Sequence, residues 1–179
     1  MTYANRPPRL TLVNIATTEH LEAQFNPTEL EEALGANFAR LTVPGLSHQR
    51  KQFINTEDDK FTFSIFNHCI GEGPEGQARM LKTRSWLRAL VHPRRTGGDR
   101  DGSPRTLLIW PGFLSIVCRL TSLGFKYTQF NRMTGAPIAY TASLTMEEQR
   151  DSFVGMEDVL VENDPRDVGD LDIRDFGEL

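Results

Sequence analysis

PRTLLIWPGFLSIVCRLTSLGFKYTQFNRMTGAPIAYTASLTMEEQ, residues 104–149, contains three segments in which apolar and polar side chains alternate. The alternation covers residues 113–122, 125–131 and 138–147, and a short apolar run, 107–110, precedes it. A period of two is typical of a strand that buries one face. Gly124 and the stretch around Gly135 predict turns between the segments. We therefore predict three successive antiparallel strands, a meander.

The rest of the chain predicts further strands and a single helix. Alternation or β-rich composition predicts strands at 10–15, 21–25, 38–43 and 60–70, whereas 28–36 fits either a strand or a helical turn. From 77 to 91 the apolar spacing becomes helical. The fold class is mainly β: an antiparallel barrel or sandwich of about seven or eight strands, flanked by one α-helix. Its predicted core contains Phe63, Ile65, Leu81, Leu87, Trp110, Ile116, Leu120, Tyr140 and Leu144.

Charge divides the chain into two regions. Residues 151–179 carry ten acidic and two basic side chains, and alternation ends before them. We predict a β-domain over 1–150 and an acidic, extended C-terminal tail over 151–179. No apolar run is long enough to span a membrane, so we expect no membrane partner. Cys69 and Cys118 lie on predicted strands, which favours buried, reduced thiols.

Signals for catalysis or for a bound cofactor are weak. The histidines and cysteines lack the spacing of a zinc site, and no nucleophile elbow is present. We therefore expect no enzyme, no metal and no cofactor. The sequence Gly71-x-Gly73-x-x-Gly76 follows a strand and precedes a helix, as a dinucleotide fingerprint does. Glu72 and Glu75 would repel a pyrophosphate, and Pro74 removes a backbone donor. A small-ligand or nucleotide-binding β-barrel protein remains the alternative function.

Basic residues concentrate on the predicted helix and on the loop after it. Eight of the twenty lysines and arginines fall within 79–105. Such a cluster suits an acidic protein surface, and the acidic tail of a neighbouring copy is one candidate. The candidate subunit interface comprises Arg84, Arg88, Arg94, Arg95, Arg105, Asp164, Asp167 and Asp170.

Four short motifs resemble those of one family. Phe25-Asn26-Pro27-Thr28-Glu29 resembles the F-N-P-x-E signature of contractile injection system tube and baseplate-adaptor proteins. Phe61 to Ile65 is similar to the strand that follows in that family. The stretches 104–110 and 127–137 resemble its later half, although Pro111-Gly112 follows Trp110 where the family usually has glycine alone.

The resemblance implies a phage tail-tube-like fold and a structural role. The chain would be a subunit of the tail tube, or of the adaptor ring between tube and baseplate hub, in a contractile phage tail or a phage-like injection system. It implies a hexameric ring whose partners are further copies and the neighbouring tube, hub or spike, and baseplate proteins. Nucleic acid is expected only as possible contents of the lumen. The expected location is a virion tail or injection particle, assembled in the bacterial cytoplasm. Adaptors of this family often continue into a LysM module, whose pattern the 29 residues after 150 lack.

Overall fold

The computed structural model describes residues 8–42, 44, 48–93 and 102–150. Over these residues the chain forms nine strands and one helix. In chain order these are β1 (Thr11–Asn14), β2 (His20–Glu22), β3 (Leu30–Ala33), β4 (Ala36–Leu41), β5 (Arg50–Thr56), β6 (Lys60–His68), α1 (Gly73–Ala89), β7 (Arg105–Trp110), β8 (Leu114–Phe130) and β9 (Pro137–Glu148). The expected mainly β, antiparallel fold with one helix is confirmed.

Seven of the strands form one antiparallel sheet. Their order is β2-β1-β7-β8-β9-β6-β3, so the meander β7-β8-β9 lies at the centre and β2 and β3 form the edges. Strands β4 and β5 pair with each other in a separate two-stranded sheet. Strand β5 has no counterpart among the predicted strands. Its side chains are all exposed, so burial imposes no alternation on its sequence.

Strand β8 links the two halves of the sheet. Its first part pairs with β7, from Leu114 opposite Trp110 onward, and its later part pairs with β9 as far as Phe130. The register shifts after Leu120, as at a β-bulge, which bends the strand from one neighbour towards the other. The predicted turn at Gly124 is wrong, because Gly124 pairs with Ser143 inside the ladder. Backbone pairing with β9 continues through this position and overrides the local tendency of glycine to interrupt a strand. The two predicted strands at 113–122 and 125–131 therefore fall together in the single strand β8, and β7 is the third strand of the meander.

The core lies between α1 and one face of the sheet. Of the predicted core residues, Phe63, Ile65, Leu87, Leu120, Tyr140 and Leu144 are at most 3% exposed. Trp110 and Ile116 are half-buried and pack against this cluster. The prediction for Leu81 is wrong, since its side chain is 39% exposed. Leu81 follows the buried Met80, and consecutive helical residues point about 100° apart.

The helix begins at Gly73, four residues before the predicted start. Pro74 lies in its first turn, where the missing N–H has no helical partner to lose. At Gly76 a Cβ would come within 2.3 Å of Glu72 Cβ and 3.3 Å of Cys69 Cβ, so the close approach of the β6–α1 connection requires glycine. Trp86 Nε1 donates to Glu19 Oε2 at 3.2 Å and ties the helix to the β1–β2 turn.

Candidate assembly surfaces

The β4–β5 hairpin, residues 36–56, stands apart from the core and is named the ribbon here. Phe38 faces Phe53 across it, with ring centroids 5.8 Å apart in an edge-to-face arrangement. These two rings are 50% and 56% exposed, and Ile54 and Leu41 are also exposed. None of the ribbon's described residues belongs to the core cluster. A two-stranded hairpin is at best marginally stable alone in water, so the ribbon is a surface suited to a partner.

The base of the ribbon is held by one backbone contact. Glu57 N donates to Gly35 O at 2.8 Å, which brings the two ends of the ribbon together beside β3 and β6. From Ala36 to Leu41 the strand extends about 17 Å, at roughly 3.4 Å per residue. The ribbon is thus an arm whose far end lies well away from its attachment.

Cations without counter-charges occupy the far end of the ribbon. Arg40 lies opposite Lys51, and Arg50 lies opposite Leu41. The segment 36–56 contains no aspartate or glutamate. Within the described ranges no carboxylate forms an ion pair with any of these three cations. Like charges directly opposite each other destabilise a strand pair, so this end favours an anionic neighbour.

The edge strand β3 carries the opposite charge. Glu31 and Glu32 lie on it, Glu29 precedes it, and all three side chains are exposed. Glu32 pairs with the buried Phe61, so this carboxylate lies on the core side of the sheet edge. Natural proteins use such charges to prevent indiscriminate pairing at an open edge. The edge therefore favours a partner that brings cations.

The sheet face opposite the core is lined by small hydroxyl side chains and glycine. Three rows cross β6, β9 and β8 in register, and each row shares one level of the ladder. They are Thr62–Thr145–Ser122, Ser64–Ser143–Gly124 and Phe66–Thr141–Lys126. The hydroxyls of Ser64 and Ser143 are 3.3 Å apart. Two of the rows carry only small uncharged side chains, whereas the third also carries the exposed Phe66 and Lys126.

An aromatic group lies at the end of β6 remote from the ribbon. Phe25 stacks on His68 at 5.4 Å between centroids and contacts Phe66 at 6.1 Å. The neighbouring Asn26 holds the N-terminal strand in place: its Oδ1 accepts from Leu10 N, and its Nδ2 donates to Pro8 O, both at 2.9 Å. In the F-N-P-x-E motif, Asn26 therefore fixes the backbone of the N-terminal strand, and Phe25 packs on the side chains at the end of β6.

Arg84, one of the predicted interface residues, has an internal contact. Arg84 Nε donates to Tyr127 Oη, and its guanidinium lies 5.7 Å and 5.9 Å from the centroids of Phe125 and Tyr127. Arg88 and Arg105 are exposed, and their place in an interface stays a prediction. The remaining candidates, Arg94, Arg95, Asp164, Asp167 and Asp170, lie outside the described residues. Sequence reasoning missed the ribbon cations, although the 21 residues without a carboxylate were a detectable signal.

A compact polar cluster lies where the described chain ends. Arg150 donates at 2.7 Å to both Asp59 Oδ2 and Glu148 Oε2. Burial raises the pKa of Glu148, against the effect of Arg150. Burial also raises the pKa of the Cys118 thiol to about 12, with Glu148 adding to it, so this thiol is unreactive. Cys69 and Cys118 are both free and buried, as predicted.

The described residues offer little for catalysis or ligand binding. They contain no group of three or more histidine, cysteine, aspartate or glutamate side chains placed to hold a metal. The glycine motif at 71–76 runs into the first turn of α1, and Glu72 there pairs with Arg79. In the described part of the chain, no helix is long and apolar enough to cross a membrane.

Comparison with known proteins identifies a family. A model of the contractile injection system tube proteins matches residues 12–154. Curated protein sequences gave no match. Solved structures with a similar fold include the tail of an empty gene transfer agent particle, refined with C6 symmetry. That chain is 12% identical, with a TM-score of 0.38, and the match covers 83% of this chain and 96% of that one.

Two further solved structures are similarly distant. A chain of the native gene transfer agent virion is 12% identical, with a TM-score of 0.36, covering 85% of this chain and 100% of that one. A chain of the sixfold-symmetrised baseplate of the anti-feeding prophage is 11% identical, with a TM-score of 0.36, covering 88% of this chain and 99% of that one.

Proposed function

Since this chain belongs to the family of contractile injection system tube proteins, we propose that it forms a hexameric ring, either in a tail tube or in the adaptor between a tube and its baseplate hub. The chain is a structural component of a contractile tail or tail-like machine. The family resemblance supports the sixfold ring. Its partners would be further copies above, below and beside it, together with hub and baseplate proteins.

The observation that carries this proposal is the ribbon. It exposes Phe38 and Phe53, its described residues contribute nothing to the core, and a backbone hydrogen bond from Glu57 to Gly35 joins its two ends at the sheet. An isolated chain gains little from such an arm, whereas an assembly can bury both rings. We infer that the ribbon packs against a neighbouring subunit.

The hydroxyl rows indicate which face of the sheet points towards the centre of the ring. A tube has a bore, and its wall must let cargo pass without adhering. Small, uncharged side chains such as Ser64 and Ser143 suit that surface, whereas the opposite face is occupied by the core and α1. We propose that this sheet face lines the bore. A Ser143→Cys variant in assembled particles should then react with a small thiol reagent and resist one too bulky to enter, and equal reaction with both would contradict this orientation.

We propose that the protein has no catalytic activity and needs no cofactor. Support comes from the ion pair of Glu72 with Arg79 in the glycine motif and from the unreactive buried Cys118 thiol. The chain would function inside a virion tail or injection particle after assembly in the bacterial cytoplasm.

The self-assembly is tested by mass photometry of the purified full chain over a range of concentrations. Wild type should form closed multimers, and Phe38→Ser combined with Phe53→Ser should remain monomeric under the same conditions. Leu81→Gln is the matched control, since it removes a partly exposed apolar side chain from the helix instead. A monomeric wild type at every concentration, or a double variant that assembles like wild type, would contradict the proposal.

A further inference from the structure

We propose that the basic far end of the ribbon of one copy binds the acidic β3 edge of a second copy. The two contact sets are Arg40, Arg50 and Lys51 on the ribbon, and Glu29, Glu31 and Glu32 on the edge. This inference rests on the proposed self-assembly and names the surface that receives the arm.

The described part of its own molecule places no carboxylate in an ion pair with the basic end of the ribbon. Arg40 and Lys51 face each other directly across the ladder, with Arg50 beside them. Arg40 and Lys51 share one face of the ribbon and repel each other until anions approach, whereas Arg50 lies on the other face. The exposed Phe38–Phe53 pair lies next to them, so one contact would bury the rings and neutralise the charge.

The β3 edge has the matching features. Glu31 and Glu32 point to opposite faces of an open strand, so carboxylates border both sides of the edge. Neither has a cationic partner in the described part of the chain. These carboxylates therefore disfavour pairing of the edge with an apolar strand and favour pairing with a strand that carries cations.

The contact must form between copies. Strand β3 ends at Ala33, beside the base of the ribbon, whereas the cations lie about 17 Å further along the arm. The Debye length at physiological salt is about 8 Å, so attraction across that distance within one molecule is largely screened. A second copy can place its β3 edge directly at the ribbon end.

The two surfaces differ, so the contact is head-to-tail. An interface between two different patches repeats from copy to copy and closes into a ring if the rotation permits. In such a ring, each subunit contributes its ribbon to one contact and its β3 edge to the next contact. This property permits a test by charge exchange.

Two charge-reversed variants provide the test. One carries Arg40→Glu, Arg50→Glu and Lys51→Glu, and the other carries Glu29→Lys, Glu31→Lys and Glu32→Lys. Each alone should need a concentration at least roughly tenfold higher than wild type for half-assembly, since like charges then meet across the interface. An equimolar mixture should restore assembly, because reversed ribbons meet reversed edges and native ribbons meet native edges. A chain carrying all six changes should also assemble.

Matched controls separate this contact from other charges. Lys82→Glu with Arg132→Glu reverses two exposed cations outside both contact sets and outside the candidate interface, and should leave assembly unchanged. Circular dichroism checks that each variant is folded, and deletion of 151–179 from wild type tests whether the acidic tail is the partner instead.

The outcomes distinguish this inference from the proposed function. If wild type assembles and the ribbon-reversed variant assembles equally well, only this inference is overturned. It is overturned too if the mixture fails to assemble, or if deleting the tail weakens assembly as much as reversing the ribbon. A wild type that stays monomeric overturns the proposed function, and this inference with it. Loss of assembly in each charge-reversed variant, together with restored assembly in the equimolar mixture, establishes the contact.

Discussion

Arg84 connects α1 to the second half of β8. It donates to Tyr127 Oη and lies over the rings of Phe125 and Tyr127. A hydrogen bond from a charged donor contributes about 1.5–3 kcal/mol and an exposed cation–π contact about 0.5–1 kcal/mol. We therefore expect Arg84→Ala to lower the free energy of unfolding by about 2 kcal/mol in urea denaturation.

The neighbouring Arg88 provides the control for this prediction. Its side chain is exposed, and Arg88→Ala should change the free energy of unfolding by less than about 0.5 kcal/mol. Equal effects of the two substitutions would show that Arg84 is not an internal tie. Charge clustering along the sequence could not distinguish these arginines, because only the fold brings Tyr127 to the helix.

Glu148 gives the stability a pH dependence of known sign. Burial raises its pKa above the ordinary value of 4.5. Between the unfolded and folded pKa values the native state binds more protons, so this group's contribution to stability falls as pH rises through that window and stays low above it. Glu148→Gln removes the titration. The free energy of unfolding of the variant relative to wild type should therefore increase with pH.

Urea denaturation at a series of pH values from about 4 to about 7 measures this difference. Glu147→Gln is the control, because the Glu147 side chain is 37% exposed against 19% for Glu148. A relative stability that falls as pH rises, or that changes equally in the control, would contradict the assignment.

The ribbon is expected to be dispensable for folding. It supplies no core residue, and Gly35 and Glu57 at its base are already joined by a backbone hydrogen bond. Replacing residues 36–56 by a two-residue Asn-Gly turn should leave the circular dichroism of the body intact and change its free energy of unfolding by less than about 1 kcal/mol. The same variant should not assemble. An unfolded body would show that the ribbon is part of the domain's structure.

Elements that bury one face were predictable from sequence, and elements without a buried face were not. Strand β6 alternates Phe61, Phe63 and Ile65 with polar residues because its inner face meets the core. Strand β5 pairs with β4 but buries neither face against the described part of the chain, so its sequence carries no such period. The continuity of β8 through Gly124 was also missed, since it depends on pairing with β9, far along the chain.

The sequence predicted the charged character of the assembly surfaces but not their position in the fold. The excess of charge predicted an electrostatic interface. The prediction favoured the arginines of the helix, because the helix is a regular element that the sequence pattern identifies. The cations of the ribbon form a group only through the pairing of β4 with β5, which places Arg40 opposite Lys51. Cross-strand neighbours are set by register, which composition does not reveal.

At the level of the whole chain, the family match extends over residues 12–154, close to the proposed domain boundary at 150. We expect a chain that ends at 150 to keep the body's fold, since the acidic shift and the loss of alternation begin after that residue. Its free energy of unfolding should lie within about 1 kcal/mol of wild type. Insolubility or loss of the β signal in circular dichroism would place the boundary further along.

In the proposed assembly, the chain is a ring subunit joined to its neighbours through the ribbon. Single-particle cryo-electron microscopy of the purified full chain measures this directly, because it counts the copies in a ring and resolves what each ribbon contacts. We predict closed rings of six copies in which the end of each ribbon lies on the β3 edge of the next. Rings whose ribbons project into solvent, or particles that contain a single copy, would contradict the claim.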